Sequence, residues 1–126
     1  MTPLHIIIPT RPITKKNHGR VIVRNGRRYH VPSKAYEAYE NFCVGWLLQW
    51  RQYHFPGPVV VQAHYYMPNR RSWPDLVGLQ QATGDILEAA KIIANDRNIV
   101  SWGDTRIVGV DKDNPRVELE IWEEGK

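Results

Sequence analysis

The chain has 126 residues, of which 42% are hydrophobic and 24% are charged, so a single globular domain over residues 1–126 is expected. Its one cysteine, Cys43, excludes an intrachain disulfide and a cysteine-rich zinc site, and no apolar run approaches the roughly 20 residues of a membrane span. Residues 1–74 carry 11 Lys or Arg against 2 acidic residues, whereas residues 75–126 carry 6 against 11. Nucleic acid is therefore the leading partner of the basic half, and the alternative is a solvated basic face that binds nothing.

The first quarter of the chain predicts a buried strand, a basic loop and a basic hairpin. Residues 4–8 are apolar, rich in β-branched side chains and closed by Pro9, which is typical of a buried strand. Residues 21–24 and 27–31 flank Asn25-Gly26, a dipeptide that tolerates positive φ and predicts a tight hairpin turn. The hairpin tip would project Arg24, Arg27 and Arg28, which either grip DNA or only keep the hairpin soluble.

An amphipathic helix is predicted to begin after Ser33, whose hydroxyl can accept a hydrogen bond from a helix N–H. Apolar and aromatic side chains then recur at three- and four-residue steps and predict a helix that stops before Pro56. These residues are Tyr36, Tyr39, Cys43, Trp46, Leu47, Trp50 and Tyr53. The stripe is predicted to be core, with Cys43 a buried and inert thiol, and the alternative is a stacking platform for bases.

The second half of the chain predicts a strand, a helix and a closing hairpin. Residues 59–67 alternate with period two, and a helix is expected from Leu76 to about Lys91 after Pro74-Asp75. Residues 106–110 and 116–122 predict a hairpin that directs Val117, Leu119 and Ile121 inward. The order βββαβαββ predicts an α+β fold with two helices packed on a mainly antiparallel or mixed sheet.

Three aspartates, Asp75, Asp85 and Asp96, follow the basic half of the chain and lie near Arg70 and Arg71. Carboxylates that converge repel one another unless a hard divalent cation compensates them, and Mg²⁺ at such a site can activate water towards a phosphodiester. From spacing alone the structural interpretation is favoured, in which Asp75 caps a helix, Asp85 is an exposed helix residue and Asp96 lies in a turn. The nuclease interpretation therefore needs further support.

Several segments form an ordered pattern along nearly the whole chain. They are Pro9-Thr-Arg-Pro-Ile-Thr-Lys-Lys-Asn17, Ser33-Lys-Ala-Tyr36, Pro74-Asp-Leu with Leu79, Ala82, Asp85, Ile86 and Leu87, and Asn95-Asp-Arg-Asn-Ile99. This pattern resembles the RusA family of Holliday junction resolvases. The resemblance implies a small homodimeric, Mg²⁺-dependent endonuclease of bacteria and prophages that cuts four-way DNA junctions.

The resemblance also implies roles for individual residues. Asp75 matches the leading aspartate of the family's D-x-D-N run, Asp85 the aspartate inside the helix, and Asp96 the second member of a later acidic pair. The loop residues Lys15, Lys16 and Asn17 match the family's DNA-facing loop.

Four positions depart from the family pattern. Val77 stands where a second catalytic aspartate is usual, Gly78 where asparagine is usual, Gln81 where a catalytic lysine is usual, and Asn95 where the later pair begins with aspartate. One carboxylate and one cation are thus missing, although Asn95 can still offer a carbonyl ligand. Asp85 lies ten residues beyond Asp75, about 15 Å along a continuous helix, so only a two-fold dimer could bring these two carboxylates together.

We therefore expect a homodimeric, RusA-like, structure-selective DNA endonuclease in the cytoplasm of a bacterial or phage-infected cell. Asp75, Asp96 and Asp85 would hold Mg²⁺, or Mn²⁺, and act in catalysis. The residues expected to contact DNA are Lys15, Lys16, Asn17, Arg20, Arg24, Arg27, Arg28, Arg70 and Arg71. The alternatives are a nuclease-inactive protein that binds junction or duplex DNA, and an interaction module whose basic face binds an acidic protein.

Overall fold

The computed structural model describes residues 3–15, 20–71 and 73–125 of the chain. Within these ranges the elements are β1 (Leu4–Ile8), β2 (Arg20–Arg24), β3 (Arg27–Val31), α1 (Lys34–Leu47), β4 (Val59–Met67), α2 (Leu76–Ala89), β5 (Ile99–Ser101), β6 (Arg106–Val110) and β7 (Arg116–Glu123). Short 3₁₀ segments cover Leu48–Tyr53 and Asp96–Asn98. The predicted α+β class is confirmed.

The main sheet is mixed. Strand β7 pairs antiparallel with β1 on one side and with β4 on the other, while β5 and β6 both pair parallel with β4 along its second edge. The predicted closing hairpin is therefore wrong, because β6 and β7 lie on opposite sides of β4. Helix α2 provides the crossover that a parallel neighbour of β4 requires, and this leaves β7 to pair between β4 and β1.

One hydrophobic core joins the sheet to both helices. The inward side chains Val117, Leu119 and Ile121 are buried, as the alternation in β7 predicts. Cys43 is also fully buried, and burial raises the pKa of its thiol to about 12. The prediction of an inert core thiol agrees with this environment.

Helix α1 begins as predicted but ends differently. The Ser33 hydroxyl accepts a hydrogen bond from the Tyr36 N–H at 3.1 Å, which confirms the predicted cap. The α-helix stops at Leu47, and the chain continues in the tighter 3₁₀ form to Tyr53. Trp46 and Tyr53, predicted as core, are 37% and 51% exposed, because Trp46 lies about 100° around the helix from buried Leu47 and the 3₁₀ turn changes the periodicity.

The basic hairpin forms its own two-stranded antiparallel sheet, β2–β3. Asn25 and Gly26 have φ angles of 52° and 77°, the two positive values that a tight two-residue turn requires. Separately, neither helix within the described ranges is long and apolar enough to cross a membrane.

Candidate active site

Asp75 lies at the N-terminus of α2, beside Gly78. Asp75 occupies the cap position of the helix with extended backbone angles, and its carbonyl accepts from the Leu79 N–H at 3.2 Å. Its carboxylate lies across Gly78, since a Cβ built on that glycine would be only 2.6 Å from Asp75 Oδ1. Glycine at position 78 therefore makes room for this carboxylate.

Asp96 reaches the same helix from the turn that precedes β5. Its backbone N–H donates to Glu88 Oε1 on α2 at 2.7 Å. A Cβ on Gly84 would lie 3.6 Å from Asp96 Cβ, so the turn passes close to the helix. Asn95, considered above as a carbonyl ligand, instead uses its side-chain oxygen to accept from the Arg97 N–H at 2.9 Å.

Between these two points α2 forms the floor of a hollow of about 320 Å³. The side of α2 that carries Gly78, Gln81 and Asp85, spaced by three and four residues, faces this hollow, and Asp96 and Lys15 complete its lining together with Ala82. A second hollow continues past Asp96 and Gln81 to Val77, Gly84 and Trp102. We call these two hollows, which share Gln81 and Asp96, the acidic groove. Asp75 is not among their lining residues and lies beside Gly78, at the edge of the first hollow.

Lys15 is the one cation among the described residues that line the first hollow. Its Nζ lies 2.7 Å from Asp85 Oδ2, and both side chains remain partly exposed, at 46% and 36%. The same ammonium lies 5.9 Å from the centre of the Tyr36 ring on α1. Thr14, next to it, is buried with its methyl group 3.3 Å from the position of a Cβ on Gly78, so the loop is anchored against α2.

The structure thus brings Asp85 and Asp96 into one hollow within a single subunit. No group of three or more His, Cys, Asp or Glu side chains in the described part of the chain is arranged to hold a metal ion. The donors that are present, two carboxylates and the Gln81 amide, nevertheless suit Mg²⁺, which is commonly bound by one or two carboxylates together with water and substrate phosphates. The chemistry of these donors is therefore compatible with a divalent ion.

The predicted DNA-contacting residues fall into separate regions. Arg24, Arg27 and Arg28 are exposed on the hairpin, and Arg70 and Arg71 are exposed on the loop before α2. That loop is shaped by Asn69, whose side-chain oxygen accepts from the Arg71 N–H and whose carbonyl accepts from the Trp73 indole. Lys16, Asn17 and the side chain of Arg20 lie outside the described residues.

Sequence reasoning missed two contributors to the groove. Glu88 holds the backbone of Asp96, and Gly84 allows its approach. Gln81, which the sequence singled out only as a departure from the family's lysine, adds an amide to the lining on the side of α2 that carries Asp85. No local signal marks Glu88 or Gly84, because their role depends on a turn that follows the helix.

Comparison with protein families supports the pattern seen in the sequence. Residues 9–122 match the family model described as Endodeoxyribonuclease RusA. The matched region includes the acidic groove, the hairpin and the main sheet apart from β1 and Glu123, the last residue of β7. A comparison with curated proteins gave no match.

Proposed function

Because the chain belongs to the RusA endodeoxyribonuclease family, we propose that it is an endonuclease that cuts four-way DNA junctions with the help of a divalent cation. Membership of the family implies Holliday junction resolution, and its nucleases are generally divalent-metal dependent. The observation that carries the proposal is the acidic groove. Asp85, Asp96 and the Gln81 amide line one hollow, with the ammonium of Lys15 beside them.

We assign the cation to the acidic groove. Asp96 and Asp85 would hold Mg²⁺ or Mn²⁺, and Asp75 would complete the site from the far side of Gly78. The bound ion would supply Lewis-acid chemistry, lowering the pKa of water and stabilising the charge that develops on the phosphate. Glu88 keeps Asp96 facing the groove through the hydrogen bond to its N–H.

The basic surfaces would position the DNA backbone. Contacts from Lys and Arg to phosphate set the register of a duplex and do not read its sequence. Lys15 lies closest to the acidic groove, whereas the hairpin arginines and the pair Arg70 and Arg71 extend the cationic surface. Lys16, Asn17 and Arg20 complete the proposed set.

We further propose that the protein acts as a homodimer in the cytoplasm of a bacterial or phage-infected cell. Two copies related by a two-fold axis would present two grooves and nick two strands of one junction. An exposed stripe on α1 supports this proposal, since Ala35, Ala38, Phe42 and Trp46 carry no charge that would oppose a second copy.

A cleavage assay tests the proposed activity. A labelled four-way junction and a matched linear duplex are incubated with wild type, Asp75→Asn and Asp96→Asn, with and without Mg²⁺. We expect junction-selective cutting that requires the ion and falls at least about 100-fold in both variants, a loss of roughly 2.7 kcal/mol of transition-state stabilisation. Asp113→Asn, in the turn before β7, is the control and should cut normally. Undiminished cutting by both groove variants would overturn the assignment.

Val77 favours a second candidate function, that of a junction-binding protein without nuclease activity. This side chain is 55% exposed and lines the acidic groove beside Asp96, where a carboxylate would add a ligand. A protein of this kind would bind junctions in EDTA with strong salt dependence and would cut nothing in Mg²⁺ or Mn²⁺. The same assay therefore separates the two functions.

A further inference from the structure

The ion pair between Lys15 and Asp85 joins two sites with different proposed tasks. Lys15 belongs to the loop proposed above to face DNA, and Asp85 is one of the carboxylates proposed to hold the cation. In the structure the ammonium and the carboxylate are 2.7 Å apart. While this ion pair is formed, neither group is available for its proposed ligand.

The geometry makes this contact exchangeable. Both side chains are exposed by more than a third, and ion pairs in such surroundings add little net stability because water solvates the separated charges well. Thr14, the residue before Lys15, is nonetheless buried against Gly78. The flexible stem of Lys15 could therefore change partner while its Cα stays beside the groove.

The charges of the groove indicate which ligands would open the ion pair between Lys15 and Asp85. A divalent cation placed between Asp85 and Asp96 would repel the ammonium of Lys15, since like charges at short range oppose each other. A DNA phosphate would attract the same ammonium. Each ligand thus favours the arrangement in which the ion pair is open.

From this we propose that Lys15 is an exchangeable cation of the acidic groove, paired with Asp85 in the free protein and transferred to a DNA phosphate when a divalent ion takes up Asp85. Ion binding and DNA binding then reinforce each other, because each removes a contact that opposes the other. The inference rests on the proposed function. It adds that Lys15 competes with the metal ion and that Asp85 restrains Lys15.

The first test measures metal binding without DNA. Mn²⁺ is titrated into wild type, Lys15→Gln and the matched control Lys34→Gln, and free Mn²⁺ is followed by electron paramagnetic resonance. Lys34 is an exposed lysine at the start of α1 and is not among the residues that line the groove. We expect Lys15→Gln to bind Mn²⁺ at least about threefold more tightly than wild type, and Lys34→Gln to match wild type. Equal or weaker binding by Lys15→Gln would overturn the inference.

The second test measures DNA binding without metal. Binding of a fluorescent four-way junction is followed by anisotropy in EDTA for wild type, Asp85→Asn, Lys15→Gln and the double variant. Asp85→Asn frees Lys15 and should tighten binding at least about threefold, and this gain should vanish in the Lys15→Gln background. An equal gain in both backgrounds would show a general charge effect and would refute the exchange.

The two tests also separate this inference from the proposed function. If wild type binds neither Mn²⁺ nor the junction, the proposed function fails and the exchange fails with it. If wild type binds both ligands and the Lys15 variants behave as wild type, only the exchange is refuted. Far-UV circular dichroism and thermal unfolding establish that every variant is folded.

Discussion

Val77 shows how one side chain sets the number of ligands in the acidic groove. It projects from the first turn of α2 into the hollow that also contains Asp96 and Gln81. Valine contributes no oxygen to that hollow, so the described part of the groove has fewer metal donors than the family pattern leads one to expect. Under the proposed function, the remaining carboxylates would depend more strongly on a DNA phosphate to hold an ion.

Val77→Asp is predicted to strengthen metal binding. The new carboxylate would lie on the exposed side of the groove next to Asp96, and ion affinity rises with the number of charged ligands. We expect Mn²⁺ affinity and the rate of junction cutting to rise by about tenfold, or roughly 1.4 kcal/mol. Val100→Asp is a matched control because Val100 has the same exposed fraction, 55%, outside the hollow. Similar gains in both variants would count against a metal site that a carboxylate at position 77 can reach.

Gly78→Ala is predicted to displace Asp75 while leaving the protein folded. The added Cβ would come within 2.6 Å of Asp75 Oδ1, so this carboxylate must leave its present position. We expect junction cutting to fall by about tenfold, whereas the unfolding midpoint in urea changes little because alanine favours the helix. Gly57→Ala is the control, since a Cβ there meets nothing within 4 Å. Normal cutting by Gly78→Ala would show that the position of Asp75 does not matter.

Among the elements, α2 is the one on which the groove depends, and a buried tyrosine connects it to the sheet. The Tyr65 hydroxyl on β4 donates to the Leu79 carbonyl at 3.2 Å and is 2.7 Å from the Thr83 hydroxyl. Burial raises the pKa of this phenol, so it stays protonated and available as a donor. The floor of the groove is thereby held to the central strand by hydrogen bonds as well as by apolar contacts.

Tyr65→Phe is predicted to destabilise the protein by about 1–3 kcal/mol, because the buried Thr83 hydroxyl and Leu79 carbonyl lose a partner. Urea unfolding measures the change. Tyr53→Phe, at an exposed position, should stay within about 0.5 kcal/mol of wild type. A Tyr65→Phe protein as stable as wild type would mean that water replaces the lost bonds.

The β2–β3 hairpin is predicted to contribute phosphate contacts. Substituting both Arg27 and Arg28 by Gln should weaken junction binding and reduce the slope of log K against log salt by about 1.8, since each phosphate contact contributes about 0.9. Anisotropy titrations over a range of salt concentrations measure that slope. The double variant Arg51→Gln, Lys112→Gln removes the same charge elsewhere. An equal reduction by this control would show that only net charge matters.

At the scale of the whole molecule, the basic and acidic halves of the sequence supply different elements of one fold, and they meet at the ion pair of Lys15 and Asp85. The basic half of the sequence supplies the loop, the hairpin and α1, whereas the acidic half supplies α2 and the turn that carries Asp96. The crossover after β4 places that turn against α2, so the acids gather at one site. The α1 face that carries Phe42 and Trp46 remains exposed, with the two rings stacked 6.0 Å apart.

Phe42→Glu is predicted to disrupt the proposed homodimer. A charge introduced into the uncharged stripe would have to be buried without a partner in a two-fold interface, where it would meet its own copy. Size-exclusion chromatography with light scattering should give the mass of a dimer for wild type and of a monomer for Phe42→Glu. Tyr53→Glu, on the 3₁₀ segment, should remain dimeric. A wild-type monomer at all concentrations would remove the dimer proposal.

The sequence alone determined the features that depend on neighbours along the chain. Alternation predicted β4 and β7, Asn25-Gly26 predicted the hairpin turn, and Ser33 predicted the start of α1, all of which the structure contains. It also placed the candidate acids in order and, through the family pattern, indicated the missing ligand at Val77. These signals are local, because helix caps, tight turns and side-chain periodicity involve residues a few positions apart.

Only the tertiary structure decided which distant residues meet. Lys15 and Asp85, 70 positions apart, form an ion pair, and Asp96 is oriented by Glu88 and by the space at Gly84. The same is true of β6 and β7, which the sequence joined as a hairpin and the fold separates by β4. Strand order and side-chain partners follow from which sheet edge is free and which apolar surfaces can be buried together. These pairings and contacts form between segments that are far apart in the sequence. Local sequence patterns do not show which distant segments will meet.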